Sequence, residues 1–380
     1  MSLFFLTFFL IYGGIHLYIF LKARAAFPLG ITTNVATGAI MIFMIFAPVI
    51  VRLTERAGNE GFARILAFVG YTWMGGVLIF FITGILYDVF RLTVYVSGIL
   101  SNRDFTYITS ARRFYFFMCL TITLLVVIYG IFEARQIKIE YLTLSTKKIS
   151  SDIGKVRIVQ ISDVHLGLII GEARIKQIIK TINKAKPDIL VSTGDLVDVQ
   201  IDNIDSMAML FQQVYTPYGK FAVTGNHEFY AGIDRALELT KKAGFKILRG
   251  QAVDINGIIT IAGVDDEAAR GWQKGENTSE KELCSYISCS QYTILLKHRP
   301  VSYAESLCVY DLQLSGHTHK GQIFPFFLIT RLFFKQYAGF YEVNNNSSLY
   351  VNRGTGTWGP PIRFLAPPEI TVIDIVHKDN

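Results

Sequence analysis

Four stretches of this chain contain no aspartate, glutamate, lysine or arginine: residues 2–21, 25–51, 65–87 and 114–132. Each is long enough to cross the ~30 Å hydrocarbon layer of a bilayer as a helix, and backbone in hydrocarbon has few other ways to satisfy its amides. The reading is four transmembrane helices, at about 2–21, 28–51, 65–87 and 114–132, within a membrane region covering residues 1–133. A cleaved signal peptide is the alternative for the first stretch, but no positive segment precedes it, and Lys22 and Arg24 follow it. An even number of spans returns the chain to the side on which it began. Basic residues divide almost evenly between the flanks, with Arg52, Arg56, Arg64, Arg135, Lys138, Lys147 and Lys148 against Lys22, Arg24, Arg91, Arg103, Arg112 and Arg113. The positive-inside rule therefore gives only a slight lean, toward a cytoplasmic C-terminal portion. Asp88 and Arg91, at i, i+3 near the end of the third span, are expected to pair and snorkel.

Beyond residue 134 the texture changes, and residues 134–380 read as one α/β domain. "QIKIEYLTLS" alternates as a strand does, and from Val156 short β-rich runs alternate with helical patterns. "VRIVQIS" leads to a helix around "EARIKQIIKTINKA", and "PDILVST" to one around "DSMAMLFQQVYT". "GKFAVTG", a helix around "IDRALELTKKAG", and the strands "IITIAGV", "YTILLKH", "DLQLSG" and "SLYVNRG" complete the domain. Cys119 falls in a span, and Cys284, Cys289 and Cys308 are an odd set without metal-ligand spacing, so no disulfide framework is implied. The net charge of +7 suits anionic lipid or phosphorylated substrates, but no Lys/Arg cluster is dense enough to argue for nucleic acid.

Polar residues stand where these strands stop. "VQISDVHLG" places Asp163 and His165 past the first strand, "LVSTGDLVD" places Asp195 and Asp198 past the second, and "AVTGNHEFY" places Asn226, His227 and Glu228 past the third. "ILLKHRP" adds His298, and "LSGHTH" adds His317 and His319. Ligands of open α/β sheets bind outside the carboxyl ends of strands. Of seven histidines in the chain, five lie at these ends, leaving only His16 and His377 elsewhere. A pair at i, i+2 on irregular backbone, as in "GHTH", can aim two imidazoles into one space. Mixed Asp, Asn and His donors suit manganese, iron or zinc, whereas magnesium prefers an oxygen-rich shell. Singly, each motif is a common loop or turn; together and in this order they make a metal site.

D-x-H, G-D-x-x-D, G-N-H-E, a lone His and G-H-x-H, over Val156 to about Ile323, resemble the signature of the calcineurin-like metallophosphoesterases. The resemblance implies a β-sandwich flanked by helices, in four layers α/β/β/α, with a two-metal site at one edge. It implies that Asp163, His165 and His319 hold one metal, that Asn226, His298 and His317 hold the other, and that Asp195 bridges them. His227 matches the non-ligand histidine beside the scissile phosphate, and Asp198 its orienting partner. The implied cofactors are two divalent ions, manganese first, with iron or zinc as alternatives. They clamp phosphate oxygens and activate a hydroxide for attack on a phosphate ester or pyrophosphate.

Two departures qualify the match. The family's protein phosphatases have Arg-Gly after the second Asp, where this chain has Val199-Gln200, which argues against a protein substrate. Lys320 follows "GHTH", where relatives often carry Gly. The tail "YVNRGTGTWGPPIRFLAPPEITVI" resembles a membrane-anchored subgroup, and Arg353 with Gly354 and Gly356 reads either as a phosphate contact or as a tight turn. "QIFPFFLITRLFFKQYAGFY" is too short to span a bilayer and reads either as a buried core helix or as a greasy flap beside the metals, with Phe326 and Phe333 binding acyl chains. The expected enzyme is a multi-pass protein of a bacterial inner (plasma) membrane, working at the bilayer on a phosphorylated, acylated substrate. Enzymes cleaving UDP-2,3-diacylglucosamine in lipid A biosynthesis are the nearest precedent. A membrane-tethered phosphodiesterase of soluble nucleotides, or a non-catalytic membrane sensor, is the alternative.

Overall fold

The computed structural model describes residues 2–198, 204–272, 279–288, 290–303, 309–344 and 346–379. Val199, Gln200, Cys289 and Cys308 lie outside the described residues. The chain divides into two compact units, Met1–Phe132 with Gly359–Ile362, and Glu133–Trp358 with Arg363–Asn380.

The first unit is built from helices α1 (Ser2–Ala26), α2 (Ile31–Arg56), α3 (Glu60–Ser101), α4 (Thr106–Thr109) and α5 (Arg112–Arg135). Four of them, all but α4, are long and apolar enough to cross a membrane. Small residues let them approach closely. A Cβ on Gly70 would come within 2.9 Å of the Ala47 methyl, and one on Gly84 within 2.8 Å of the Tyr18 hydroxyl. The third span departs from the sequence reading. It runs on past Tyr87 through "DVFRLTVYVSGILS", which holds no proline, and stops where Asn102 turns left-handed (φ 53°). Its 42 residues extend about 63 Å, twice what the hydrocarbon layer needs. Asp88 pairs with Arg91 as expected and gains two further partners from α1. It accepts from the Tyr18 hydroxyl at 2.7 Å and pairs with Lys22, while Arg91 stands 3.9 Å away.

The second unit stacks two six-stranded sheets. One runs β1 (Lys138–Thr146), β12 (Glu369–His377), β2 (Lys155–Ile161), β3 (Ile189–Thr193), β4 (Lys220–Val223), β5 (Lys246–Ile247). The other runs β10 (Gly339–Glu342), β11 (Ser348–Val351), β9 (Leu312–Ser315), β8 (Tyr292–Leu296), β7 (Ile259–Gly263), β6 (Gln251–Ile255). Strands β2 to β5 are parallel, as are β7, β8, β9 and β11, so each sheet carries its carboxyl ends to one edge.

Alternation along the strands makes the layers. Ile158, Val191 and Val223 point into the core between the sheets, where Ile261, Ile294 and Leu314 meet them. Their neighbours Val159, Leu190 and Ala222 point the other way, into a core shared with α6 (Glu172–Ala185) and α9 (Ile233–Lys242). Helix α6 buries Ile175, Ile178, Ile179 and Ile182, one stripe at helical spacing. Truncating such an isoleucine to alanine typically costs about 2–5 kcal/mol. On the outer face of the second sheet, Leu283 of α11 (Glu280–Ser285) packs with Ala262, Val264, Leu295 and Tyr310. Helices α7 (Asp205–Met209), α8 (Asn226–Ala231), α10 (Ala269–Trp272) and α12 (Phe327–Phe333) are short excursions from strand ends. This is the α/β/β/α architecture the resemblance implied.

Candidate metal centre

Each strand that delivers a polar group stops abruptly, and the residue after it often takes a backbone angle that non-glycine residues avoid. Asp163 (φ 50°), His165 (φ 53°), Asp195 (φ 50°), His317 (φ 72°) and His319 (φ 48°) are all left-handed. This region costs roughly 1–2 kcal/mol per L-residue, so the surrounding structure must hold it. It does so with backbone hydrogen bonds between loops. Asp163 N–H donates to the Gly194 carbonyl and His165 N–H to that of Asp195, both at 3.0 Å. The neighbouring glycines are required for proximity. A Cβ on Gly225 would fall 2.1 Å from Asp195 Oδ1, and one on Gly316 2.2 Å from Asp163 Oδ2. Lys320, next to His319, is itself at φ 52°.

Three sets of ligand atoms converge within 4.8 Å: Asp163 with His165 and His319, His165 with Asp195 and His227, and Asp195 with His298 and His317. Asn226 joins the last set, its Oδ1 lying 3.3 Å from His298 Nε2. Asp198 is set back, accepting from His227 Nδ1 at 3.0 Å. Asp163, Asp195, His165 and His298 are buried, yet among the described residues no lysine or arginine pairs with either carboxylate. The histidines instead face one another, His165 Nε2 to His319 Nε2 at 3.2 Å and His317 Nδ1 to His298 Nε2 at 3.1 Å. Two neutral imidazoles cannot both donate along one line. His165 Nδ1 is buried without any hydrogen-bond partner. Converging lone pairs around buried carboxylates that no lysine or arginine pairs are a donor set for cations, and these residues fit divalent metal ions. His298 is oriented for such a role, because its Nδ1–H donates to the Thr193 carbonyl at 2.8 Å and leaves Nε2 toward the cluster.

The electrostatics of the side chains divide the histidines. Burial lowers His165 to about 4, with the charge on His227 adding to it, and lowers His317 to about 3 with help from His298. Burial also lowers His319, followed by the Arg363 guanidinium beside it. His227 goes the other way. Burial opposes its charge, but Asp195 and the hydrogen bond to Asp198 prevail and raise it to about 9. Burial opposes the charge on His298 as well, and Asp195 raises it to about 10, but its two nitrogens are directed at the Thr193 carbonyl and Asp195, so His227 is the histidine placed to give a proton away.

Two functional residues carried no signal that the sequence reading used. Glu228 stood in "GNHE" without a role. Its buried carboxylate accepts the backbone N–H groups of Gly225 (2.7 Å), Leu196 (2.8 Å), Asp195 (3.0 Å) and Val197 (3.3 Å), which fixes the loop bearing Asp195. Arg363 is fully buried, and its Nη2 lies 3.0 Å from His319 Nδ1. The same guanidinium donates to the carbonyls of Arg353 (2.7 Å), His319 (3.2 Å), Ala366 (3.2 Å) and Gly354 (3.4 Å) and to that of Gly356. It ties the His319 loop to the C-terminal segment.

The Arg353 reading needs correction. Its side chain pairs with Glu140 and, at 2.6 Å, with Glu369, so its guanidinium is not among the groups gathered at the centre. The Gly354 and Gly356 amides are also engaged, donating to Asn352 Oδ1 at 2.7 Å and the Asp163 carbonyl at 3.0 Å, so they form no phosphate nest. The core-helix alternative for "QIFPFFLITRLFF" is excluded too, because no residue of α12 is buried. Phe326 is 41% exposed and Phe333 77% exposed, while Phe334 sets its edge against the His317 ring with centroids 5.2 Å apart. On another side, Trp358 and Tyr230 flank the His227 ring at 5.9 and 5.7 Å.

Comparison with known proteins agrees with this geometry. The calcineurin-like phosphoesterase profile matches residues 156–321. A metallophosphoesterase of Aquifex aeolicus is 39% identical over 253 residues, covering 66% of this chain and 97% of its own length. One from Campylobacter jejuni is 31% identical over 304 residues, covering 79% of each chain. A zebrafish (Danio rerio) transmembrane protein with a metallophosphoesterase domain is 31% identical over 268 residues, 67% of this chain and 61% of that protein.

Proposed function

This chain belongs to the calcineurin-like phosphoesterase family, and from that premise we propose that it hydrolyses a phosphate ester or pyrophosphate in a lipid-linked substrate, using two bound metal ions. It is a metal-dependent phosphoesterase and a membrane protein. The finer reading assigns Asp163, His165 and His319 to one ion and Asn226, His298 and His317 to the other, with Asp195 between them. Manganese is the first choice of metal, with iron or zinc as alternatives. The bacterial inner membrane is the proposed location, with the catalytic domain on the cytoplasmic side.

When bound, the ions supply a clamp for the phosphate oxygens and acidify the attacking water. The protein supplies the rest. Glu228 and Arg363 hold the loops that carry the donors, so little reorganisation is needed on binding. His227, with Nδ1 engaged by Asp198, has Nε2 left to protonate the departing oxygen. Burial of the cluster strengthens each of these interactions over its value in water.

One observation carries the lipid reading: α12 follows the metal-binding loop directly, exposes Phe326, Leu328, Leu332 and Phe333, and is anchored by Phe334 against His317. An exposed apolar helix costs solubility unless it meets lipid or acyl chains. The test is hydrolysis in detergent micelles, with Mn²⁺ restored after chelation, of UDP-2,3-diacylglucosamine and of bis-p-nitrophenyl phosphate. Phe326→Ser with Phe333→Ser should reduce kcat/KM on the lipid by about tenfold or more, as expected for losing a buried aromatic contact. The soluble ester should be nearly unaffected. Equal losses on both substrates would sink the lipid reading and leave a phosphodiesterase of soluble nucleotides.

A further inference from the structure

Within the membrane unit, the extended end of α3 and the turn back into α5 form an open recess of about 1090 Å³. Three arginines line it, Arg91, Arg103 and Arg112. The two acidic residues of the lining are already engaged. Asp88 is held by Lys22 and the Tyr18 hydroxyl, and Asp104 Oδ1 accepts from the Thr106 amide (2.8 Å) and hydroxyl (2.6 Å). Arg91 stands 3.9 Å from Asp88, and among the described residues Arg103 and Arg112 form no ion pair. Hydroxyls of Thr106, Thr109 and Ser110 complete the polar wall.

The recess is built, not a chance gap between side chains. Tyr87 and Tyr115 stack at 4.2 Å and donate their hydroxyls to the carbonyls of Thr109 (3.2 Å) and Ile108 (2.6 Å), which fixes α4 against α3 and α5. Gly98 lets the returning chain pass, since a Cβ there would stand 2.8 Å from the Arg103 carbonyl. Beside the arginines, Leu92, Tyr95 and Ile99 follow one another at i, i+3, i+7 on α3, and each is at least 60% exposed. A guanidinium cluster next to an exposed apolar stripe, on a helix continuing from a membrane span, matches an anionic amphiphile at the bilayer interface.

We propose that this recess binds the phosphate of an anionic lipid headgroup, with Arg103 and Arg112 on the phosphate and Leu92, Tyr95 and Ile99 along the acyl chains. The site shares no residue with the metal centre and requires no turnover. Arginine suits phosphate because its fork donates two parallel hydrogen bonds.

The test uses the full chain in detergent under EDTA, so that phosphate cannot bind through metal. Thermal unfolding is followed against dioctanoyl phosphatidylglycerol, dioctanoyl phosphatidylcholine and inorganic phosphate, for wild type, Arg103→Gln/Arg112→Gln and Arg103→Lys/Arg112→Lys. Saturable stabilisation of wild type by phosphatidylglycerol is expected, at least tenfold weaker in the glutamine variant and largely kept in the lysine variant. Stabilisation by inorganic phosphate at equal concentration would keep the anion site but assign it to free phosphate. Equal binding of phosphatidylcholine, no binding by wild type, or wild-type binding by the glutamine variant would overturn the proposal. The last result would also show the lipid bound elsewhere, for example on α12.

Discussion

Two buried histidines, one in each unit, show how alike residues come to serve different ends. His16, 2% exposed among the membrane helices, donates from Nδ1 to the Tyr12 carbonyl at 2.8 Å and accepts from Trp73 Nε1 at 2.9 Å. Both nitrogens are used by neutral partners, and the ring is a tether between α1 and α3. His298 is equally buried and also donates from Nδ1 to a carbonyl, but its Nε2 faces Asp195, Asn226 and His317. One ring completes its own hydrogen bonding within the fold; the other turns its second nitrogen into a set of converging donors. Burial alone therefore does not mark a functional histidine, and the discriminating quantity is what the second nitrogen faces.

Predictions follow from that contrast. The largest effect belongs to Asp195, which contributes to two of the three convergent donor sets. Asp195→Asn should abolish turnover and lower the bound-metal content measured by elemental analysis; full activity with full metal would break the assignment. His227→Gln should lower kcat by about 10²–10⁴-fold while metal content stays at the wild-type level. A loss of metal in that variant would make His227 a ligand. Arg363→Lys cannot reproduce a planar fork shared among five carbonyls and the His319 ring. It should weaken metal binding by about 10–100-fold, selectively at the Asp163, His165 and His319 set. Cobalt titration followed by its visible spectrum would show one site lost and one kept, whereas a merely structural defect would weaken both.

At the other pole, His16→Leu should leave metal content and turnover unchanged and lower stability in detergent by only about 0.6–1.7 kcal/mol. A change in activity would mean that the tether has a second role. The smallest effect is expected at Asp374, a carboxylate with a dedicated partner. The Arg157 guanidinium pairs with it at 2.7 and 2.8 Å and holds its pKa below the ordinary value. A depressed carboxylate stabilises the fold above its unfolded pKa of about 3.9 and loses that contribution as pH falls through the lower folded value. Asp374→Asn should therefore lower Tm slightly and by a constant amount above pH ~4, the difference shrinking below it; the pair is worth up to about 1 kcal/mol.

The same contrast explains what could be read from the sequence. The donors at strand ends were legible because apolar alternation locates a strand, and a polar residue just past its end has one direction to go. Helix α6 was legible from its isoleucine spacing. Arg363 was not, because most of its partners are backbone carbonyls, which every residue has. Arg353 was misread for a related reason: its glycine neighbours resemble an anion nest, but its partners sit on other strands, Glu140 on β1 far back in the sequence and Glu369 on β12. The end of α3 was placed at the first charges, yet Asp88 is met by Lys22 and Tyr18 of α1 and gives the helix no reason to stop.

The left-handed backbone at Asp163, His165, Asp195, His317 and His319 bears on how this protein can change. Glycine would occupy any of these positions more comfortably than the residue now there. Selection for heat tolerance without selection for turnover should then erode these five residues first, through single substitutions that make the chain sturdier and inert. A screen that recovers glycine at these positions among thermostable survivors would measure how strongly function alone keeps them in place.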